Sequence, residues 1–240
     1  QNNNSENYNS NILIEGDNKN RLLIDCGSDA RHSLSDMGYN HNDIDSVYIS
    51  HLHADHAGGL EWLGYVRKFQ KNSNKPKMFL HRSLHKPLWK NSLSGGMASL
   101  EEEQASLDSY FDVEAVENSF TWEKIEFQLV KMIHVIDYNK NQPCFGLFFE
   151  INNNKIFFTA DTKFNPKELN PYYQKADIIF HDCETSPFKS HVHSHYEDLQ
   201  TLDPSIKNKM WLYHYNAGKL PDAKQAGFLG FVKKQQIFTF

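Results

Sequence analysis

The chain has 240 residues, 39% hydrophobic and 23% charged, long enough for one large core, so a single domain over residues 1–240 with an elaboration is expected. Its formal charge of −5 gives no global pull towards a long polyanion, and no stable nucleic-acid partner is expected. No run of 18 apolar residues appears, and the start QNNNSENYNSN lacks the charged and apolar stretches of a signal peptide, so a soluble protein with no membrane association is expected.

NILIEG (11–16) and RLLIDCG (21–27) are short apolar runs split by the turn-rich DNKN and read as a β-hairpin. RHSLSDMGYNHNDI has helical spacing through Leu34 and Met37, and DSVYISHLHADH reads as a buried strand running into a loop. Leu60, Leu63, Tyr65, Val66 and Phe69 suit a helix, which KNSNKPK breaks. KMFLHRSL is a further strand, and the stretch from Leu84 to Phe111 reads as helical, with Leu100, Leu107 and Phe111 set against an acidic face. A helical cap inserted around 62–111 is therefore expected. VEAVENSFTW, IEFQLVKMIHVI, PCFGLFFEI and KIFFTADT follow as short strands with turns such as INNNK between them. KADIIFHD is another strand, HYEDLQTL a helix, KMWLYHYN a strand, AKQAGFLGFV an amphipathic helix and QQIFTF a closing strand. The order is that of an α/β protein with two mixed sheets.

The chemistry is concentrated in histidine, of which the chain has 13. In SHLHADH a strand alternates its side chains, so His51 and His53 project to one side, and the turn lets Asp55 and His56 face a second point. One motif can thus feed two metal ions, and Gly58-Gly59 lets backbones approach closely. The bland alternative is a polar loop with incidental histidines. Cys26, Cys144 and Cys183 show no CxxC spacing, which argues against a thiolate zinc site and fits a reducing, cytoplasmic compartment.

HLHADH resembles the HxHxDH signature of the metallo-β-lactamase superfamily, and the other motifs of that superfamily can be matched in order along nearly the whole chain. The resemblance implies an αββα sandwich of two mixed β-sheets flanked by helices. It implies one divalent ion on His51, His53 and His134, a second on Asp55, His56 and His214, and Asp161 bridging them. Taken alone, His134 and His214 would more often be core histidines. Asp25 in LLIDCG resembles the hairpin aspartate that supports the ligand loop, with a hairpin cap as the alternative. Zinc is the expected metal, with manganese as the other candidate; such a pair lowers the pKa of water and neutralises charge on a displaced oxygen. An aspartate at 161, where many β-lactamases carry cysteine, disfavours lactam hydrolysis.

HDCETSPFKSHVHSHYEDL (181–199) resembles the ribonuclease Z branch, in which a glutamate and an HST-type histidine follow the bridging aspartate. By that resemblance His193 is the general acid, with His195 competing, and Glu184 holds its imidazole in the useful tautomer. ISHLHADHAGGLEWL, Trp89, GGMASLEEEQASLDSYFDV, DCETSPFKSHVHSHY and KMWLYHY together resemble the anti-Pycsar phosphodiesterases of phages and bacteria. This implies a homodimer that hydrolyses 3′,5′-cyclic mononucleotides (cCMP, cUMP, also cAMP and cGMP) to 5′-monophosphates and so erases an antiphage messenger, with Asp55 orienting the nucleophile. Trp62, Tyr65, Trp89 and Tyr110 are candidates to shelter the base, or are core aromatics. A tRNA 3′-processing endonuclease, a cyclic-nucleotide sponge and a glyoxalase-type thioesterase are the competing readings.

Overall fold

The hairpin predicted from DNKN forms as expected in the computed structural model, which describes residues 7–71 and 73–240. The Asn-rich start at residues 1–6 and one position of KNSNKPK, residue 72, lie outside the described residues. β1 (Ile12–Glu15) and β2 (Arg21–Ile24) pair antiparallel, with Glu15 opposite Arg21 and an ion pair of 2.8 Å between them. They open the first of two units into which the chain divides, residues 8–123; the second comprises Asn7 and residues 124–240.

In residues 8–123 a five-stranded sheet has the order β1-β2-β3-β4-β5, with β3 Ser46–Ile49, β4 Lys77–His81 and β5 Asp112–Val116 all parallel to β2. β3 is buried at every residue, as a central parallel strand covered on both faces must be. β6 (Ser119–Trp122) follows, and Phe120 stacks on Phe79 at 4.3 Å and on Tyr48 at 5.4 Å. α1 (Ala30–Asp36) buries Ala30 and Leu34. The four-residue α2 (Ala54–Ala57) leads into α3 (Leu60–Phe69), which buries Leu60, Leu63, Gly64 and Arg67, an i, i+3, i+4, i+7 stripe. Phe69, expected on that stripe, is exposed instead, and Arg67 takes the inner place. Its guanidinium donates to the carbonyls of His41, Ile44 and Asn74 and to the Ser73 hydroxyl, so each of its nitrogens is hydrogen-bonded.

Between β4 and β5 the helical stretch is shorter than expected. α4 (Arg82–Pro87), a π-turn over Leu88–Leu93 and α5 (Ser94–Met97) form it, and after Met97 only Leu107–Ser109 is helical, as a 3-10 turn. Glu101, Glu102 and Glu103 lie exposed in the connecting loop, where three adjacent like charges favour solvation over a helix face.

In the second unit β7 (Ile125–Lys131), β10 (Phe145–Ile151), β11 (Asn154–Phe158), β12 (Ile178–Asp182), β13 (Met210–Tyr213) and β14 (Gly230–Phe231) lie side by side in the order β14-β13-β12-β11-β10-β7. β7, β10 and β11 are antiparallel neighbours, whereas β11 to β14 run parallel. A small separate hairpin, β8 (Ile136–Asp137) with β9 (Lys140–Asn141), lies between β7 and β10. The helices are α6 (Pro166–Lys175), α7 (Tyr196–Leu199) and α8 (Pro204–Lys207). The helix expected from HYEDLQTL stops after four residues, and α8 begins afresh where Asp203 caps Ser205 N–H and proline occupies the first turn. AKQAGFLGFV forms turns and β14 in place of a helix, with φ of +93° at Gly227 and +143° at Gly230. QQIFTF forms no strand, yet Phe238 packs edge-on to Trp211 at 5.3 Å and to Phe180 at 4.9 Å. No helix of the described residues is long and apolar enough to cross a membrane.

A titratable pair lies in the core of this unit. The buried His181 donates from Nδ1 to the Asp182 carbonyl at 2.7 Å, so its Nε2 accepts from the Tyr173 hydroxyl, also at 2.7 Å. Burial pushes the His181 pKa down to about 4 and the Tyr173 phenol far above its usual range. Above pH ~6.5 the histidine is neutral in folded and unfolded chain alike and contributes nothing to pH dependence. Between there and pH ~4 only the unfolded chain takes up the proton, so stability falls on acidification by on the order of 3 kcal/mol. His181→Gln, which keeps a donor and an acceptor, should flatten this part of the profile; melting temperatures of both proteins at about pH 7 and about pH 5 check it.

Candidate metal centre

In residues 8–123 the ligand-type side chains follow the ends of two adjacent parallel strands. β2 ends at Ile24 and Asp25 turns off it with φ +60°. β3 ends at Ile49, and Ser50, His51 and His53 follow. The carboxylate of Asp25, completely buried, accepts from Ser50 N–H (2.9 Å), the Ser50 hydroxyl (2.9 Å) and His56 Nδ1 (2.7 Å). Because the carboxylate accepts a hydrogen bond from Nδ1–H, His56 presents Nε2 as its lone-pair nitrogen, 3.5 Å from Asp55 Oδ2. His51 places Nδ1 against the Ser50 hydroxyl at 3.0 Å and Nε2 3.1 Å from His53 Nδ1. That separation is close to the ~3.3 Å edge expected for two nitrogens on one tetrahedral zinc. The His51 and His56 rings lie 4.1 Å apart. The sequence placed these four side chains in one loop, and the structure brings them together with Asp25 as their support.

The loop is clamped through its backbone. Cys26 N–H donates to His56 O (2.7 Å), Gly59 N–H to Cys26 O (2.8 Å) and Ser28 N–H to Ala54 O (3.1 Å). A Cβ on Gly59 would fall 2.4 Å from the Gly27 carbonyl oxygen and 2.9 Å from Cys26 Sγ. The glycine that follows the ligand run is therefore needed for backbone contact.

In residues 124–240 three more groups stand at the C-terminal ends of neighbouring parallel strands: Asp161 after β11, Asp182 at the end of β12 and His214 after β13. This is the edge of an α/β sheet at which ligands gather. Asp161, Asp182, His193 and His214 each offer a ligand atom, all within 4.8 Å of one another. Asp161 Oδ2 lies 3.5 Å from His214 Nε2 and 3.6 Å from His134 Nε2. His134 Nδ1 donates to the Val192 carbonyl at 2.7 Å, which again leaves Nε2 as the lone-pair nitrogen. Asp161 with the imidazoles of His134 and His214 offers the carboxylate and imidazole donors that a divalent transition metal takes, and Asp182 and His193 adjoin them.

The carboxylate that faces His193 is not the expected one. Asp182 Oδ2 lies 2.9 Å from His193 Nδ1 and accepts Thr162 N–H at 2.9 Å. Glu184, to which that role was assigned from the sequence, is turned away and accepts Ser190 N–H (2.9 Å) and the Ser190 hydroxyl (3.0 Å). His195 caps α7, its Nδ1 accepting Glu197 N–H at 3.3 Å while Nε2 donates to Ser186 O at 3.0 Å. Both its nitrogens are thus engaged away from Asp182, whereas His193 faces Asp182 and stacks on His214 at 4.6 Å. Burial alone would depress the His193 pKa, but the hydrogen bond and charge of Asp182, with the charge of Asp161, outweigh it and leave the imidazole above its usual value. Asp182 is the site residue that sequence reasoning missed, although HDCET carried it two places before Glu184.

A family model described as Anti-Pycsar protein Apyc1 matches residues 2–238. The Anti-Pycsar protein Apyc1 of Paenibacillus harenae is 35% identical over 209 residues, 86% of this chain and 83% of that one. The chain belongs to the Anti-Pycsar Apyc1 family. Another member, from Bacillus phage vB_BveM-Goe7, is 31% identical over 219 residues, 87% of this chain and 83% of its own. Among solved structures, the metallo-β-lactamase fold protein YhfI from Bacillus subtilis superposes with a TM-score of 0.71 at 18% identity, covering 95% of this chain and 90% of that one. The short form of human tRNase Z superposes with a TM-score of 0.67 at 16% identity over 96% and 92%. These likenesses establish the metallo-β-lactamase fold for this member of the Apyc1 family.

The support given by Asp25 makes a measurable claim. Asp25→Asn can offer an N–H to His56 Nδ1, which would move the imidazole proton to Nε2. It should weaken divalent-metal binding about 10- to 100-fold while the protein stays folded. Competition against a chromophoric chelator measures this, and an unchanged affinity would remove Asp25 from the support of the centre.

Proposed function

We propose that the chain is a metal-dependent phosphodiesterase that hydrolyses 3′,5′-cyclic mononucleotides to nucleoside 5′-monophosphates, and so counteracts Pycsar immunity. The observation that carries this reading is the cluster of Asp161, Asp182, His193 and His214 at one strand edge, in a member of the Anti-Pycsar family. His51, His53 and His134 would hold one divalent cation and Asp55, His56 and His214 a second, with Asp161 shared between them. Bound there, zinc or manganese would supply charge neutralisation for the phosphate and a water of lowered pKa. Asp55 orients the attacking water. His193 acts as the acid: its Nδ1–H is held by Asp182, which leaves the Nε2 proton to pass to the ribose oxygen as the phosphorus–oxygen bond breaks. The net charge of −5 favours a small substrate over a tRNA.

Purified protein loaded with zinc or manganese should turn over cCMP, cUMP, cAMP or cGMP, and chelation should abolish this. Cleavage of precursor tRNA with all four cyclic nucleotides left intact would assign an endonuclease instead, and tight binding without turnover a sponge.

His193→Ala should lower kcat on cyclic nucleotides about 100-fold or more with metal content retained. On bis(p-nitrophenyl) phosphate, whose leaving group departs without a proton, the loss should be far smaller. Equal losses on the two substrates would show that His193 is not the acid.

A further inference from the structure

Three of the four aromatics considered as shelter for a base are engaged within residues 8–123. The Tyr65 hydroxyl donates to Gly96 O and the Tyr110 hydroxyl to Met97 O, each at 2.6 Å, and Trp89 packs against the fully buried Tyr110 at 6.3 Å. Trp62 stands edge-on to His41 at 6.4 Å. Two exposed aromatics are carried instead by the segments that run from His134 and into Val192 and His193. Tyr138 is 94% exposed at the tip of the β8–β9 hairpin, and Phe188 is 73% exposed in the loop between Glu184 and His193.

Both spring from one hydrogen bond. His134 Nδ1 donates to Val192 O at 2.7 Å; Tyr138 follows His134 by four residues and Phe188 precedes Val192 by four. The segments that carry the two rings are therefore fastened to each other at a histidine whose Nε2 faces Asp161. On the first arm, Gln142 N–H donates to Val135 O at 2.8 Å and the Asn141 side chain to Met132 O at 3.0 Å, fixing the root of the hairpin. Beyond the root it is held by two strand pairs, Ile136 with Asn141 and Asp137 with Lys140, and by the Gln142 side chain on Asp137, a ribbon too short to be rigid by itself. On the second arm, Ser190 is tied to Glu184, and the Ser186 hydroxyl is bonded to Phe188 O.

The hairpin turn is made by Tyr138 and Asn139, with φ of +43° and +66°. Such a turn favours Asn-Gly, and a tyrosine in its first position is disfavoured by its Cβ. Its ring is almost wholly in water, so the folded chain gains no burial from the choice. Four backbone steps separate His134 from Tyr138, so their Cα atoms are at most about 14 Å apart.

We propose that Tyr138 and Phe188 are the two jaws of a clamp that stacks on the nucleobase of a nucleotide whose phosphate lies at the His134–Asp161–His193 cluster; this rests on the phosphodiesterase reading above. Stacking engages the π-face common to all bases, so the clamp recognises the presence of a base and discriminates little between pyrimidine and purine.

The test compares cCMP with abasic ribose 3′,5′-cyclic phosphate on the metal-loaded protein. Tyr138→Ala and Phe188→Ala should each raise KM for cCMP about tenfold with kcat changed less than about twofold, and leave KM for the abasic substrate and the melting temperature unmoved. Tyr138→Trp should keep the original KM. An unchanged KM for cCMP in either alanine variant, or an equal rise on the abasic substrate, overturns the clamp while the phosphodiesterase reading stands. Failure of the unmodified protein to turn over either substrate overturns that reading, and the clamp with it.

Discussion

A histidine can bind a cation only through a nitrogen that carries no proton, so a histidine-rich centre depends on what holds the opposite nitrogen. Here that partner differs at each ring: a buried carboxylate for His56, a backbone carbonyl for His134 and a serine hydroxyl for His51. Two of these devices meet at one point, because Asp25 receives both His56 and Ser50, and Ser50 in turn faces His51. One buried carboxylate thus fixes the tautomer of one ring directly and the setting of another through a hydroxyl. The backbone clamp between residues 26–28 and 54–59 serves the same end, since it holds the loop at the separation these bonds require.

What could be read from the sequence was what is encoded locally. SVYI has no polar alternation and could be placed as a buried strand; the hairpin at DNKN and the turn at INNNK carry their own turn chemistry. Elements whose form is decided by distant partners were not legible in the same way. Arg67 occupies the inner stripe of α3 because carbonyls at residues 41, 44 and 74 accept its protons, and no pattern within the helix announces them. AKQAGFLGFV has the composition of an amphipathic helix, but Gly227 and Gly230 adopt left-handed backbone and the segment feeds a strand paired with β13.

The candidate site divides along the same line. His51, His53, Asp55 and His56 sit within six consecutive positions, where spacing alone argues for shared ligation. His134, Asp161 and His214 are single residues at element ends and became legible only through their order along the chain. The exchange of Asp182 for Glu184 shows the limit. HDCET offers two carboxylates, and which one turns inward depends on where β12 stops. Asp182 still pairs with Tyr213 inside the sheet, whereas Glu184 is past the strand, bridged to His195 and turned to Ser190. A shift of two residues in a strand end is beyond what a sequence pattern resolves.

The backbone at these positions carries a cost that the rest of the fold must offset. Asp25, Ala160 and His214 have φ of +60°, +50° and +63°, and each lies within two residues of a strand end. A left-handed conformation at a non-glycine residue is unfavourable by about 1–2 kcal/mol. The strands they leave are the anchors: Leu22, Leu23 and Ile24, then Ile156, Phe157 and Phe158, then Met210 and Leu212 are all buried, and burial of each large side chain contributes about 1.5–3 kcal/mol. Glycine would relieve the strain but would delete the accepting carboxylate at Asp25 and the imidazole at His214. At Ala160 no donor is lost, and the strained residue acts on its neighbour: the abrupt turn there ends β11 and sets Asp161 at the strand edge. The strain is therefore tied to the placing of side chains at strand ends, which is the property a metal centre needs most.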